Sequence, residues 1–181
     1  MIPHSFKTEG IILGKRDFSE ADRILDIYSK DKGKITLIAK GVKRLGSRKR
    51  GHIEVFSKIA FQAVNGKGMP ILTEVETIDD YRIIRKSIKK VSLAYYIMEV
   101  ALKLTREGGE NIEFYNYLEN ILEKLKFTTQ LKKLRYEFVT NTLKILGYWP
   151  EDKNLAYPDE KLEEVMERQI FSKRIGKRML E

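Results

Sequence analysis

Apolar and polar side chains alternate along residues 9–78, and near residue 80 this repeat of two gives way to the helical repeat of about 3.6 residues. In "ITLIAK", for example, Ile35, Leu37 and Ala39 share one face of an extended chain, as a half-buried strand requires. Five segments alternate in this way, and we predict a strand in each: residues 9–18, 21–30, 35–40, 52–64 and 71–78. The turn sequences "DKGK" and "NGKGMP" separate two pairs of these segments.

Five strands with no helix between them leave two unpaired sheet edges unless the sheet closes on itself. Closure into a small barrel is the economical arrangement, and we predict an OB-like barrel, which has five strands. The fold class is therefore α+β, with a barrel domain over residues 1–80 and an all-helical domain over residues 81–181.

The first two predicted helices follow this change of repeat. A wide apolar stripe from Ile84 to Leu104 predicts a long helix that packs on more than one side. "REGGEN" breaks this helix, and Asn111 is a suitable N-cap for the next one. The apolar face of that second helix is predicted to consist of Phe114, Leu118, Ile121 and Leu125.

A third helix is predicted to begin at Thr128 or Thr129 and to stop at Gly147 and Pro150, residues that commonly end helices. A last, charged helix is predicted after Asp159. Its thin apolar seam consists of Leu162, Val165, Met166 and Ile170.

Composition limits the possible functions. The formal net charge is +9, which attracts polyanions in general. The absence of cysteine excludes disulfides and thiolate metal sites, and His4 and His52 offer little for zinc, so we expect no metal and no cofactor. No signal-like N-terminus and no run of roughly 20 apolar residues occurs, so we expect a cytoplasmic protein without a membrane partner.

The strongest functional signal is a basic run, "IAKGVKRLGSRKRG" at residues 38–51, which has six basic residues and no acidic one. Such a segment cannot bury itself, and with a predicted barrel beside it we expect it to bind nucleic-acid phosphates. The principal predicted contacts are Lys40, Lys43, Arg44, Arg48, Lys49 and Arg50, and the outer ones are Lys15, Arg16, Lys34 and Lys67. Phe18 and Tyr28 are candidates for stacking on bases.

No catalytic motif is present, and we predict that the chain is not an enzyme. A metal-dependent nuclease would need a cluster of carboxylates that binds a metal ion, and the candidates for such a cluster are Glu20, Asp22 and Asp26. In an extended strand Asp22 and Asp26 would be roughly 13 Å apart, too far to share one ion without a bend. A turn role for Ser19 and Asp22 agrees better with the surrounding pattern.

Residues 7–57 resemble the start of the bacterial RecO recombination mediators. The resemblance lies in a strand that ends in glycine, in "EADRIL", "GKI" and "AKG", and in the basic "SRKRG" before "EVFS". Further along, "LAYYIMEVALKL", "LRYEFVTNTLKILGYWP" and "RIGKRMLE" resemble the family's helices and C-terminal end. The resemblance therefore covers nearly the whole chain and implies an N-terminal OB fold followed by helices.

The resemblance also implies a function: binding single- and double-stranded DNA, annealing complementary strands, and assisting the loading of RecA recombinase on strands coated by single-strand-binding protein. The implied partners are DNA, a RecR-like protein, the single-strand-binding protein and, indirectly, RecA. Many family members carry a four-cysteine zinc module after the helix that ends in "GYWP", and this chain has no cysteine, so zinc is not expected. The alternatives are an RNA- or ribosome-binding OB-fold protein and a non-catalytic protein-binding adaptor.

Overall fold

The structure is a computed structural model that describes residues 5–66 and 68–167. Its sheet is a closed barrel in the order β1-β2-β3-β5-β4, in which β4 pairs back on β1. The strands are β1 (Ser5–Asp17), β2 (Arg23–Ser29), β3 (Gly33–Ala39), β4 (Lys58–Val64) and β5 (Ile71–Asp79). The predicted OB-like α+β fold is confirmed.

Four of the five strand pairings are antiparallel, and the fifth, between β3 and β5, is parallel and contains one residue pair, Ile38 with Ile71. Alternate residues of each strand point into the barrel, where Leu25, Leu37 and Phe61 are almost completely buried. The period-two pattern of the sequence therefore identified the faces of the sheet correctly.

The fourth strand was predicted too long, because it begins at Lys58 and not at residue 52. Arg50–His52 form a short 3-10 helix, and Phe56 adopts a left-handed backbone with φ of 58° that redirects the chain. The Phe56 N–H then donates to the Ile12 carbonyl at 2.8 Å, and the Ile12 N–H donates to the Ser57 carbonyl at 3.1 Å. Ile53, Val55 and Phe56 are thus buried in a turn across β1, although the apolar alternation of this segment resembles that of a strand.

The helices are α1 (Arg82–Arg85), α2 (Ile88–Leu104), α3 (Ile112–Phe127) and α4 (Leu131–Ile145). The first predicted helix is interrupted at residues 86–87, which separate α1 from α2. The predicted N-cap is confirmed, because the Asn111 side chain accepts a hydrogen bond from the Phe114 N–H at 2.9 Å. The four residues of the predicted apolar face of α3 are all buried.

The third predicted helix begins later than expected, at Leu131, because Thr128 closes the C-terminus of α3 by donating from its N–H to the Lys124 carbonyl. Gly147, with φ of 76°, ends it as predicted. The last helix is present at residues 158–167, where Leu162 and Val165 are buried. The predicted seam residue Ile170 lies outside the described residues.

The chain divides into two compact units, Met1–Thr128 and Thr129–Glu181. The barrel and α1 to α3 belong to the first unit. The change from strands to helices near residue 81 therefore lies inside one compact body.

Within the first unit, the loop between α2 and α3 is attached to β3. The Lys34 ammonium donates to the carbonyls of Leu102, at 2.9 Å, and Thr105 at the C-terminus of α2. The Thr36 N–H donates to a carboxylate oxygen of Glu107 at 3.0 Å, and the Gly108 N–H donates to the Lys34 carbonyl at 3.0 Å. We refer to these contacts between β3 and residues 102–108 as the β3 seam.

Candidate nucleic-acid interface

Residues 40–50, which we call the basic loop, connect β3 toward β4 and fold into consecutive turns. Backbone N–H groups of Arg44, Ser47 and Arg50 donate to the carbonyls of Gly41, Arg44 and Ser47, at 3.2, 3.0 and 3.4 Å respectively. Each bond joins residues three apart, which is the pattern of a β-turn. The basic loop is therefore an ordered surface feature whose backbone conformation is largely specified by its own hydrogen bonds.

The connection between β1 and β2 anchors the start of the basic loop. A carboxylate oxygen of Asp22 accepts from the Gly41 N–H at 2.7 Å, and the Ala21 carbonyl accepts from the Lys43 N–H at 2.9 Å. Between these bonds the Val42 side chain is buried. Asp22 therefore acts as a hydrogen-bond acceptor for the loop, and the Ser19 hydroxyl accepts from its N–H at 3.2 Å, which confirms the predicted turn role.

Four cations of the basic loop are exposed, and their side chains form no ion pair or hydrogen bond with any residue in 5–66 or 68–167. They are Lys40, Arg44, Arg48 and Arg50. An exposed cation that has no carboxylate partner keeps its full charge for an external anion. Among the predicted phosphate contacts of the basic loop, these four residues have a charge that is available to an external anion. We call them the open cations.

The other two cations of the basic loop also make internal contacts. Lys43 Nζ lies 3.0 Å from a carboxylate oxygen of Asp17 and donates to the Ser19 carbonyl at 3.3 Å. Hydrogen bonds from Lys43 and Arg23 hold the pKa of Asp17 below its usual value, so this carboxylate stays ionised well into the acidic range. Lys49 Nζ donates to the Leu72 carbonyl at 2.8 Å and thereby attaches the end of the basic loop to β5.

The described outer cations are all paired internally. Lys15 Nζ lies 2.7 Å from a carboxylate oxygen of Glu54, and Arg16 pairs with Asp26. Asp26 is only 5% exposed and also accepts from the Thr36 hydroxyl at 2.8 Å. Lys34 belongs to the β3 seam, and Lys67 lies outside the described residues.

The two predicted stacking aromatics differ in accessibility. Phe18, in the connection between β1 and β2, is 55% exposed and can reach a ligand. The prediction for Tyr28 is wrong, because this residue is 1% exposed and its ring packs edge-on against Phe114 at 5.2 Å between centroids. Burial raises the pKa of Tyr28 to about 12. Tyr28 lies on the face of β2 opposite the barrel-core residues Leu25 and Ile27, and the alternating pattern alone did not show that α3 covers this face.

Of the three carboxylates considered for a nuclease, Glu20 is exposed, and the other two are engaged in structural hydrogen bonds. Asp22 holds the basic loop and Asp26 holds Arg16 and Thr36. No group of three or more His, Asp or Glu side chains that could hold a metal ion occurs in the part of the chain that the structure describes.

One residue of the interface escaped the sequence analysis. Leu45 lies between Arg44 and Gly46 at the tip of the basic loop and is 94% exposed. The sequence pattern could have identified Leu45 as exposed. It lies in a run of basic and turn-forming residues, where neither a strand repeat nor a helix repeat places a side chain on a buried face.

Replacing Lys34 with methionine is expected to lower the free energy of unfolding by about 1–2 kcal/mol, because charge-assisted bonds to the last carbonyls of a helix are lost. Urea denaturation followed by circular dichroism measures this loss. The predicted DNA contact of Lys34 is tested with the same variant. A decrease of the salt slope of DNA binding by about 0.9, the value for one phosphate on a duplex, would support that contact. An unchanged slope together with the stability loss would limit Lys34 to the β3 seam.

A closed five-stranded barrel with an exposed, ordered cationic loop defines an OB-like domain, a class that binds oligonucleotides and oligosaccharides. Two family models match the chain: "Recombination protein O N terminal" over residues 1–81 and "Recombination protein O C terminal" over residues 85–156. The chain belongs to the RecO family.

Curated relatives agree with these matches. The chain is 34% identical over 160 residues to the DNA repair protein RecO of Dehalococcoides mccartyi, an alignment that covers 88% of this chain and 63% of the relative. It is 32% identical over 149 residues to the DNA repair protein RecO of Moorella thermoacetica, covering 82% of this chain and 55% of the relative. This chain therefore spans less than two thirds of the length of these relatives. None of the helices in residues 5–66 and 68–167 is long and apolar enough to span a bilayer.

Proposed function

We propose that this chain is a non-catalytic DNA-repair mediator that binds single- and double-stranded DNA through the basic loop. The observation that carries the proposal is the group of four open cations on an ordered loop beside a barrel of the RecO family. In the proposed complex Lys40, Arg44, Arg48 and Arg50 neutralise backbone phosphates. Lys43 and Lys49 add charge close by, and Lys15, Arg16, Lys34 and Lys67 stay predicted outer contacts.

Binding of this kind reads the backbone and not the bases, so we expect it to tolerate any sequence. A surface that carries several uncompensated positive charges also reduces the repulsion between two phosphate backbones, which favours the pairing of complementary strands. Strand annealing therefore follows from the same charges that bind DNA. The names of the relatives, each a DNA repair protein RecO, support the assignment of this binding to repair.

In the proposed role the chain acts together with a RecR-like partner and with single-strand-binding protein, and it assists RecA loading indirectly. The chain is expected to accelerate annealing of complementary oligonucleotides at least about tenfold in dilute buffer, with the acceleration decreasing as salt rises. It is also expected to anneal strands already coated by single-strand-binding protein. Annealing of donor- and acceptor-labelled strands, followed by energy transfer with and without that protein, measures both effects.

Two outcomes of this annealing experiment would contradict the proposal in different ways. Tight DNA binding without acceleration would leave a DNA-binding protein that is not an annealing mediator. Acceleration on bare strands that disappears on coated strands would remove the role with single-strand-binding protein and retain annealing.

The principal alternative is an RNA-binding OB-fold protein, because RNA presents the same phosphate charge. Competition between RNA and DNA strands of matched sequence decides between them, since a preference for RNA of tenfold or more would overturn the DNA assignment. A protein-binding adaptor would instead bind its partner without salt dependence and would have no affinity for DNA.

A further inference from the structure

Leu45 is the most exposed large apolar side chain among the described residues, and its position in the basic loop is well defined. It follows Arg44 in the turn that the Ser47 N–H closes on the Arg44 carbonyl at 3.0 Å, so it occupies the tip of that turn. Leucine side chains are among those most often buried in folded proteins. A leucine that is 94% exposed at a turn tip gains free energy when an external surface covers it.

The surroundings of Leu45 leave room for such a surface. An added Cβ on the next residue, Gly46, would have no heavy atom within 4 Å, so the neighbouring backbone is open on that side. The turns before and after the tip, and the anchor of Asp22 on Gly41 at 2.7 Å, hold the loop backbone in place. The entropy lost when the tip binds is therefore smaller than for a mobile loop.

The charges beside Leu45 indicate the kind of surface that covers it. Arg44 precedes it, Arg48 follows within three residues, and both are open cations. An apolar group between two cations fits a ligand that presents an apolar face between two anionic groups. A base pair between the phosphates of its two strands has this chemistry.

We propose, on the basis of the DNA binding proposed above, that Leu45 is an apolar wedge that packs on the exposed face of the last base pair where double-stranded DNA meets single strands. Arg44 and Arg48 hold the phosphates on either side of that pair. The preferred substrate class is therefore a junction between duplex and single-stranded DNA.

The free-energy balance favours a junction over the interior of a duplex. Insertion between stacked pairs must first separate them, at a cost that is at least as large as the gain from burying one leucine. At a junction the last pair already has one unstacked face, so the gain comes without that cost. Covering most of one leucine side chain corresponds to about a tenfold change in a binding constant.

The test compares a fluorescein-labelled fork with covalently closed circular duplex DNA, which has no ends, as competitor. Leu45→Ala is expected to weaken binding of the fork about tenfold and to change binding of the circular duplex less than about twofold. A 2-aminopurine at the junction should change its fluorescence when the unmodified protein binds, and one placed well inside the duplex should not. Leu45→Met, which keeps an apolar side chain, should behave like the original residue.

Ile88→Ala is the matched control, because Ile88 is also an exposed aliphatic residue and lies on α2, outside the basic loop. It should change neither affinity. Fork affinity that is the same in the unmodified protein and in Leu45→Ala would overturn the wedge while DNA binding itself remained. Failure of the unmodified protein to bind either DNA would instead overturn the proposed function, and the wedge with it.

An anionic lipid surface is the other partner that an apolar residue between cations could meet. Sedimentation with vesicles of equal parts phosphatidylglycerol and phosphatidylcholine tests this partner. Vesicle binding that Leu45→Ala abolishes, combined with unchanged fork affinity, would overturn the DNA wedge in favour of a membrane contact. Absence of vesicle binding, together with the loss of fork affinity, would support the wedge.

Discussion

Simultaneous replacement of Lys40, Arg44, Arg48 and Arg50 with alanine is expected to weaken DNA binding at least about a hundredfold in dilute buffer. Each cation that neutralises a phosphate releases a condensed counterion, so loss of four contacts should reduce the log–log salt slope by about 3.6 for a duplex and about 2.8 for single strands. Fluorescence anisotropy titrations over a series of salt concentrations measure the affinity and the slope together.

The stability of the variant should remain nearly unchanged, because the four replaced side chains are exposed and make no ion pair or hydrogen bond with the described part of the chain. Lys49 is left in place for the opposite reason, since its ammonium holds the end of the basic loop to the Leu72 carbonyl. Removing Lys49 would change both the charge and the conformation of the loop. Because Lys49 is retained, a loss of affinity in the variant with four replacements can be attributed to charge alone.

A charge-matched control separates the loop from the net charge of the protein. The control variant replaces four exposed lysines outside the barrel with alanine and so also removes four positive charges. These lysines are Lys86, Lys89, Lys132 and Lys133. The control variant should keep its affinity within about threefold at roughly 0.15 M salt, because exposed charges that make no contact with the DNA are largely screened there. Equal losses in both variants would show that DNA responds to the overall charge and that the basic loop is no specific interface.

Sequence reasoning predicted the barrel well, because each strand carries its own alternation and the burial of one face follows directly from it. It failed at residues 52–57, where Ile53, Val55 and Phe56 are buried as strand residues would be. Their burial comes from a turn with a left-handed Phe56 that is bonded to β1. Two different backbone paths can bury the same apolar residues, and the pattern alone does not distinguish them.

The candidate interface was predictable as a run of charge but not as a set of available charges. Whether a lysine is open depends on a carboxylate or carbonyl that another element brings beside it, as Glu54 does for Lys15 and Leu102 does for Lys34. These partners are 39 and 68 positions away along the chain, so no local pattern contains them. The same is true of Tyr28, whose exposed or buried state is decided by α3.

Gly33→Ala is expected to be the most destabilising single substitution near the β3 seam. Gly33 has a left-handed φ of 63° and is buried in the tight turn between β2 and β3. An added Cβ would overlap the Gly109 carbonyl oxygen and lie 2.5 Å from the Gly109 carbonyl carbon. Because both obstacles are backbone atoms, no side-chain movement relieves them, and the loop at residues 106–110 must move away from β3.

We expect Gly33→Ala to lower the free energy of unfolding by about 3 kcal/mol, from the unfavourable φ and from the overlap together. The displaced loop would also weaken the bonds from Thr36 to Glu107 and from Gly108 to Lys34, so amide hydrogen exchange of β3 should accelerate. Urea denaturation followed by circular dichroism measures the first effect, and exchange detected by mass spectrometry measures the second.

Gly51→Ala is the matched control, because Gly51 does not have a left-handed φ and its added Cβ would meet no heavy atom within 4 Å. It should leave both measurements unchanged within about 0.5 kcal/mol. If Gly33→Ala proved equally neutral, the close approach of residues 106–110 to the turn at Gly33 would be refuted.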